Sequence, residues 1–161
     1  MDMEHQQHRA LQIVEKAYER QRAGDLVEAI RLYKASLEIQ PTAEAYTYLA
    51  WTYSHQGRYD EAIEQCKNAI TVDPEFGNPY NDIGSYLIQK GKLSDAIPWL
   101  EMAKKAPRYE PRHFPYLNLF RVYMKLGRID AAQRELEQAR FIQQSLEIPP
   151  DPGEDEPATI H

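Results

Sequence analysis

The sequence predicts an all-α protein, an α-solenoid of four helix-turn-helix repeats, and three residue series predict it. Glycines recur at spacings of 33, 34 and 36 residues, at Gly24, Gly57, Gly91 and Gly127. Two further series share the same three spacings: Ala29, Ala62, Ala96 and Ala132, and Tyr33, Cys66, Leu100 and Leu136. A period near 34 residues is typical of repeat architectures, in which each supersecondary unit stacks on the next.

Each repeat reads as two amphipathic helices joined by a short turn. Apolar residues before Gly57 fall at helical spacing, as in Tyr46, Leu49 and Tyr53. The glycine is expected to end the first helix in a left-handed conformation, and Asp60 is expected to cap the second. Prolines follow the second helices at Pro41, Pro74 and Pro107. The helix pairs are predicted at 8–23/26–39, 43–56/59–72, 77–90/93–106 and 113–126/129–146.

These motifs resemble the tetratricopeptide repeat, whose signature is W-x2-L-G-x2-Y, then A-x3-F, then P. The second repeat supplies Tyr46, Leu49, Ala50, Tyr53, Ala62, Cys66 and Pro74 at those positions. The third supplies Tyr80, Ile83, Gly84, Leu87, Ala96 and Leu100, and the fourth Tyr116, Leu119, Phe120, Tyr123, Ala132 and Leu136. The resemblance covers residues 10–144 and implies a right-handed superhelix.

Domain boundaries follow from the repeat period and from composition. Residues 1–9 are expected to extend the first helix, and residues 10–146 to form the repeat domain. The individual repeats are placed at 10–42, 43–76, 77–112 and 113–146. Residues 147–161 are acidic and rich in proline, so they are predicted to be a disordered tail.

Composition limits the cellular setting and the chemistry. The single cysteine, Cys66, excludes an internal disulfide framework and fits a reducing compartment. The first residues are polar and no apolar run has the length of a membrane helix, so a cytoplasmic protein without membrane contact is expected. No phosphate-binding loop, metal-ligand pattern or nucleophile motif occurs. We therefore expect no catalytic residues, no metal and no cofactor, and hence no enzyme.

Charge is unevenly distributed along the 161 residues. Residues 1–89 carry a balance of −6, residues 90–128 a balance of +6, and residues 145–161 a balance of −5. Nucleic acid is not expected as a partner, because the basic block lacks a recognisable binding motif and the acidic parts oppose it. Two other hypotheses remain open. The tail could dock on the basic block, or copies could assemble head to tail with help from Phe141.

The resemblance implies that the first helices line a concave groove that contacts a partner segment. The groove would be lined by two sets of side chains. The aromatic set is Tyr18, Tyr48 and Trp51, and the polar or cationic set is Asn78, Asn81, Asn118, Arg121 and Lys125. The aromatic side chains could bury an apolar side chain of the partner, or instead pack the seam between neighbouring first helices. The cations could bind a carboxylate, or instead form a solvated face.

One subfamily of the repeat grips the C-terminal carboxylate of heat-shock chaperones with Lys, Asn and Arg at fixed groove positions. This chain has Val14, Tyr18, Tyr48, Asn78 and Asp82 there. Because Asp82 would repel a carboxylate, weak or absent binding of such tails is expected. The predicted function is a non-enzymatic adaptor or co-chaperone-like scaffold for a protein or peptide, and a homo-oligomer is possible. The alternatives are a self-associating head-to-tail scaffold and a small secretion-type chaperone.

Overall fold

A computed structural model describes residues 2–147, which fold into eight α-helices and their connections. The helices are α1 (Met3–Arg22), α2 (Leu26–Ile39), α3 (Ala43–His55), α4 (Tyr59–Val72), α5 (Asn78–Gln89), α6 (Leu93–Lys105), α7 (Phe114–Lys125) and α8 (Ile129–Glu147). The predicted all-α solenoid of four repeats is confirmed. Residues 148–161, on which most of the predicted disorder falls, lie outside the described residues.

The same turn closes the first helix of every repeat. In the second repeat the backbone N–H of Gly57 donates to the Ser54 carbonyl at 3.0 Å, and that of Arg58 donates to the Tyr53 carbonyl at 3.0 Å. This pair of bonds is the Schellman arrangement, which needs a left-handed residue after the helix. The four turn glycines have φ angles between 73° and 84°, so the predicted role of the glycine series is confirmed.

The helices pack as antiparallel pairs that stack in chain order. Contacts are most extensive within the pairs α1–α2, α3–α4, α5–α6 and α7–α8, and each second helix also packs on the next first helix. The backbones of neighbouring first helices approach one another closely, whereas those of neighbouring second helices stay farther apart. Since the first helices lie closer together, α1, α3, α5 and α7 line the inner, concave side of the array.

Small residues permit this close packing at the helix crossings. Ala29, Ala62, Ala96 and Ala132 are fully buried. On α5, Gly84 lies directly against the buried side chain of Leu100 on α6. Cys66 is buried and free, as its place in the third residue series predicted, and it functions as a small packing residue.

Helix α1 begins at Met3, and the Asp2 side chain caps it by accepting from the His5 N–H at 2.8 Å. One local prediction needs correction. Asp60 does not cap α4, because the helix already begins at Tyr59 and Arg58 occupies the cap position without a side-chain bond. Asp60 instead pairs with Lys90 at the start of the next turn.

Candidate binding groove

A cavity of about 600 Å³ opens on the concave side between α3, α5 and α7. The turn glycines and the antiparallel pairing fix the direction of these helices, so one face of each points into the same space. Helix α3 contributes Trp51, Ser54 and His55; α5 contributes Asn81, Asp82, Ser85, Tyr86 and Gln89; α7 contributes Phe114, Leu117, Asn118 and Arg121; and Tyr59 completes the wall.

Aromatic side chains form two sides of the cavity. Trp51 is 41% exposed, and its ring lies 4.5 Å from the ring of His55. Phe114 is 45% exposed at the start of α7. Large apolar side chains that stay exposed in a concave surface are available to cover an apolar group of a ligand.

A chain of polar side chains crosses the cavity from α5 to α7. The Asn118 Nδ2 donates to the Asn81 Oδ1 at 3.0 Å, and the Arg121 Nη1 donates to the Asn118 Oδ1 at 3.1 Å. Both asparagines are buried whereas Arg121 is exposed. The asparagines therefore connect neighbouring repeats, and they hold the guanidinium at the edge of the cavity while leaving most of its donors free.

Asp82 lies in the cavity wall on α5 and is half-buried. Burial raises the pKa of its carboxyl to about 7, and no hydrogen bond or positive charge among the described residues lowers it. A carboxylate in such a place loses part of its hydration without gaining a partner. Asp82 therefore changes protonation near neutral pH.

Two neighbours of Asp82 do not supply a compensating charge. Burial, together with the Asp82 charge, raises the pKa of the Cys66 thiol and of the Tyr86 phenol, so both are neutral. The Tyr86 hydroxyl has no hydrogen bond of normal geometry to a described residue, although Ser54 lies close enough to offset part of its pKa shift. An unpaired buried donor and an unpaired carboxyl thus occupy the same wall.

Tyr18 and Tyr48 form a separate aromatic group on α1 and α3. Their ring centroids are 5.7 Å apart, and Tyr48 stacks on the buried Tyr33 at 5.8 Å with 7° between the planes. The Tyr33 hydroxyl donates to the Gln21 Oε1 at 2.7 Å. Tyr18 and Tyr48 remain 38% and 37% exposed, so these rings pack the seam and still present a surface to the groove.

Asn78 and Lys125 lie apart from the cavity. The Asn78 Nδ2 donates to the Glu110 carbonyl at 3.2 Å and lines a second cavity of about 500 Å³ beside the connection from α6 to α7. Lys125 is exposed near the end of α7 and does not belong to the cavity wall. Of the eight residues predicted for the groove, Trp51, Asn81, Asn118 and Arg121 are those that line one cavity.

The sequence prediction missed Tyr59 and Tyr86 in the wall. Both residues pack against the core, and the periodic pattern does not reveal that a packed tyrosine also borders a cavity. Within residues 2–147, no group of three metal-ligating side chains comes together. In that same part of the chain, no helix combines the length and the apolar character that crossing a lipid bilayer requires.

Known proteins share this architecture. The tetratricopeptide repeat family model matches residues 43–76, the span from the start of α3 to the connection after α4. Small glutamine-rich tetratricopeptide repeat-containing protein 2 of Mycosarcoma maydis is 33% identical over 76 residues, which is 47% of this chain and 22% of that protein. A crystal structure of MamA superposes with a TM-score of 0.69 at 27% identity, over 80% of this chain and 74% of that one.

A further solved structure contains a ligand. The first TPR of Spaghetti (RPAP3), bound to the HSP90 peptide SRMEEVD, superposes with a TM-score of 0.66 at 20% identity, over 73% of this chain and 93% of that one. The chain spans only about a fifth of the length of the curated relative from Mycosarcoma maydis. Residues 43–76 are therefore a tetratricopeptide repeat by sequence, and the four helix pairs share the fold of that repeat.

Proposed function

We propose that this chain is a non-enzymatic adaptor that holds a segment of a partner protein in its concave groove. The observation that carries the proposal is the cavity between α3, α5 and α7. It combines an exposed aromatic ring, Trp51, with a positioned cation, Arg121, on a scaffold of packed helices. Exposed aromatic residues and arginine are the side chains that most often dominate protein interfaces.

The polar groups of the groove suit an extended chain. Peptide backbone offers alternating donors and acceptors, and the amides of Asn81 and Asn118 retain unused donor and acceptor capacity beyond their mutual bond. Arg121 can fork onto a carboxylate at the edge. The peptide bound by the first TPR of Spaghetti (RPAP3) supports a peptide segment as the ligand class, since that domain has the same fold.

The described side chains support a binding role over a catalytic one. Cys66, the one thiol, is fully buried and its pKa is raised, so it would be a poor nucleophile. We propose residues 10–146 as the binding domain, a reducing compartment such as the cytoplasm as its location, and a protein or peptide rather than nucleic acid or membrane as its partner.

Affinity capture from native lysate tests the proposal. The bait is the full chain, compared with a Trp51→Ala/Arg121→Ala variant that removes one exposed aromatic residue and one exposed cation from the groove. A matched control, Phe141→Ala/Arg140→Ala, removes the same two chemical types from the exposed face of α8. Circular dichroism and the melting temperature establish that all three proteins fold equally.

We expect the wild type and the α8 control to capture the same partner proteins, and the groove variant to lose them. Cross-linking of the captured partner should then place its segment near Trp51. If the groove variant captures the same partners in the same amounts, the concave site is wrong. If the α8 control alone loses them, the binding surface is at the C-terminal end of the array.

Self-association is the second candidate, because apolar side chains are exposed at both ends of the array. Phe141 and Leu146 on α8 are each 67% exposed, and Leu11 on α1 is 61% exposed. The acidic first half and the basic block of residues 90–128 would attract each other in a head-to-tail contact. A mass from light scattering that rises with protein concentration, and falls on Phe141→Ala, would favour this function.

A further inference from the structure

We propose that the segment held in the groove carries a basic side chain, Lys or Arg, whose charged end binds against Asp82. This inference rests on the proposed function and specifies the chemistry of the partner. Asp82 lies half-buried in the wall that α5 contributes to the cavity, which Trp51, Asn118 and Arg121 also line.

The Asp82 carboxylate has no partner among the described residues. No hydrogen bond or positive charge from residues 2–147 stabilises its ionised form. The carboxylate is not sealed in the interior, since it borders the cavity. It is therefore an acceptor that water reaches in the free protein and that a ligand can reach instead.

Several groups lie around Asp82 on the neighbouring elements. Cys66 on α4, Tyr86 on α5 and Tyr109 in the connection before α7 are weak acids whose pKa values the Asp82 charge helps to raise. On α7, the Arg121 guanidinium bonds to Asn118, and on α3, the His55 ring packs at a tilt against the Trp51 ring. None of these groups forms an ion pair with Asp82 within the described residues, because the one guanidinium in the cavity wall, that of Arg121, is bonded to Asn118.

The same cavity also suits the apolar stem of a Lys or Arg side chain. Lys and Arg have apolar stems that lie well along aromatic surfaces, and a cation over the face of Trp51 gains a further attraction. A cavity of about 600 Å³ has room for several side chains.

The groove should therefore prefer a positively charged side chain beside Asp82. When a ligand expels water from the cavity, the Asp82 carboxylate loses its hydration. This loss costs binding free energy unless the ligand places a cation beside the carboxylate. An acidic side chain at this place would add repulsion between like charges. The groove should therefore select a basic residue at one position of the bound segment and reject an acidic one there.

Selection from a random peptide library tests this preference. Messenger-RNA-displayed 12-residue peptides are selected in parallel on the full wild-type chain, on Asp82→Asn, and on Asp95→Asn, which removes an equal charge from an exposed site on α6. A fourth selection uses Trp51→Ala/Arg121→Ala to identify the peptides that depend on the groove. The folding of each variant is verified by circular dichroism.

We expect groove-dependent peptides from the wild type and from Asp95→Asn to carry Lys or Arg at one fixed position, and Asp82→Asn to lose this enrichment. Replacing that basic residue by norleucine in a synthetic peptide should weaken binding to the wild type at least about tenfold, because close charge pairs at interfaces couple this strongly. The norleucine comparison needs only the wild-type protein, so it tests the need for a basic side chain even if Asp82→Asn folds poorly.

The failures are distinguishable. Groove-dependent peptides without a basic position, or with one that Asp82→Asn retains, would overturn the role of Asp82 and leave the adaptor function standing. A library that yields no groove-dependent peptides would overturn both the role of Asp82 and the proposed function.

Discussion

At the residue scale, Asp82 links the binding surface to the stability of the fold. Its pKa is about 7 in the folded protein, against an ordinary value of 3.8. Between these two pH values the folded state holds the proton more firmly than the unfolded chain does. The free energy of unfolding therefore falls as the pH rises through this window, and above pH 7 the full penalty of the buried charge applies.

Asp82→Asn should stabilise the protein at pH 8 and have little effect at pH 4. The amide removes the buried charge, and we expect a gain of about 1–2 kcal/mol at pH 8, a value reduced for the water that reaches the half-buried group. Chemical denaturation at the two pH values measures it. Asp95→Asn, on an exposed site, is the control. An equal effect of Asp82→Asn at both pH values would contradict this account.

The residues of the cavity were predictable from the sequence to different degrees. Trp51, Asn81, Asn118 and Arg121 follow from the repeat, because helical periodicity assigns them to the inner face of a first helix. Asn78 occupies an equivalent register, but the connection after α6 supplies the Glu110 carbonyl that binds it. That connection departs from the repeat period, so the sequence pattern contained no information on its path.

At the scale of helices, close approach depends on small residues where two helices cross. A Cβ atom at Gly84 of α5 would lie 2.4 Å from the Leu100 Cδ2 and 2.5 Å from its Cγ. Leu100 is fully buried, so it cannot turn away without displacing other core residues. The missing side chain of Gly84 therefore sets the distance between α5 and α6.

Gly84→Ala should destabilise the protein even though alanine favours a helix. The gain in helix propensity is about 1 kcal/mol, and the overlap with Leu100 is expected to exceed it, leaving a net loss of about 1–2 kcal/mol. Chemical denaturation of the wild type and the variant gives the difference. In a Leu100→Ala background the overlap disappears, so Gly84→Ala should become neutral or stabilising there. The same cost in both backgrounds would refute the steric explanation.

The ends of the helices show which local sequence signals are sufficient to predict where a helix begins or stops. The turn after each first helix was predicted because the glycine and its two hydrogen bonds involve neighbouring residues only. The cap of α4 was mispredicted, because Tyr59 already has helical geometry and Asp60 finds a distant partner in Lys90. A bond to the next repeat depends on tertiary structure, which one repeat considered alone does not contain.

At the scale of the whole molecule, the charge of the groove should decide between classes of peptide. The concave side presents Arg121 on α7, but Asp82 lies in the α5 wall of the cavity without an ion-pair partner among the described residues. A peptide with several acidic residues and a free carboxylate would approach Asp82 with like charge. The shared fold with the peptide-bound first TPR of Spaghetti (RPAP3) therefore does not imply a shared ligand.

We expect the peptide SRMEEVD, which the RPAP3 domain binds, to bind this chain at least about tenfold more weakly than it binds that domain, because several kcal/mol separate opposite from like charges at an interface. Fluorescence anisotropy of the labelled peptide measures both affinities, with the RPAP3 domain as the positive control. An amidated SRMQQVN peptide, which lacks the negative charges, should lose affinity for the RPAP3 domain but not for this chain. Tight binding of SRMEEVD that disappears on amidation would contradict the sign of the groove charge, and with it the proposed role of Asp82 in selecting a basic residue.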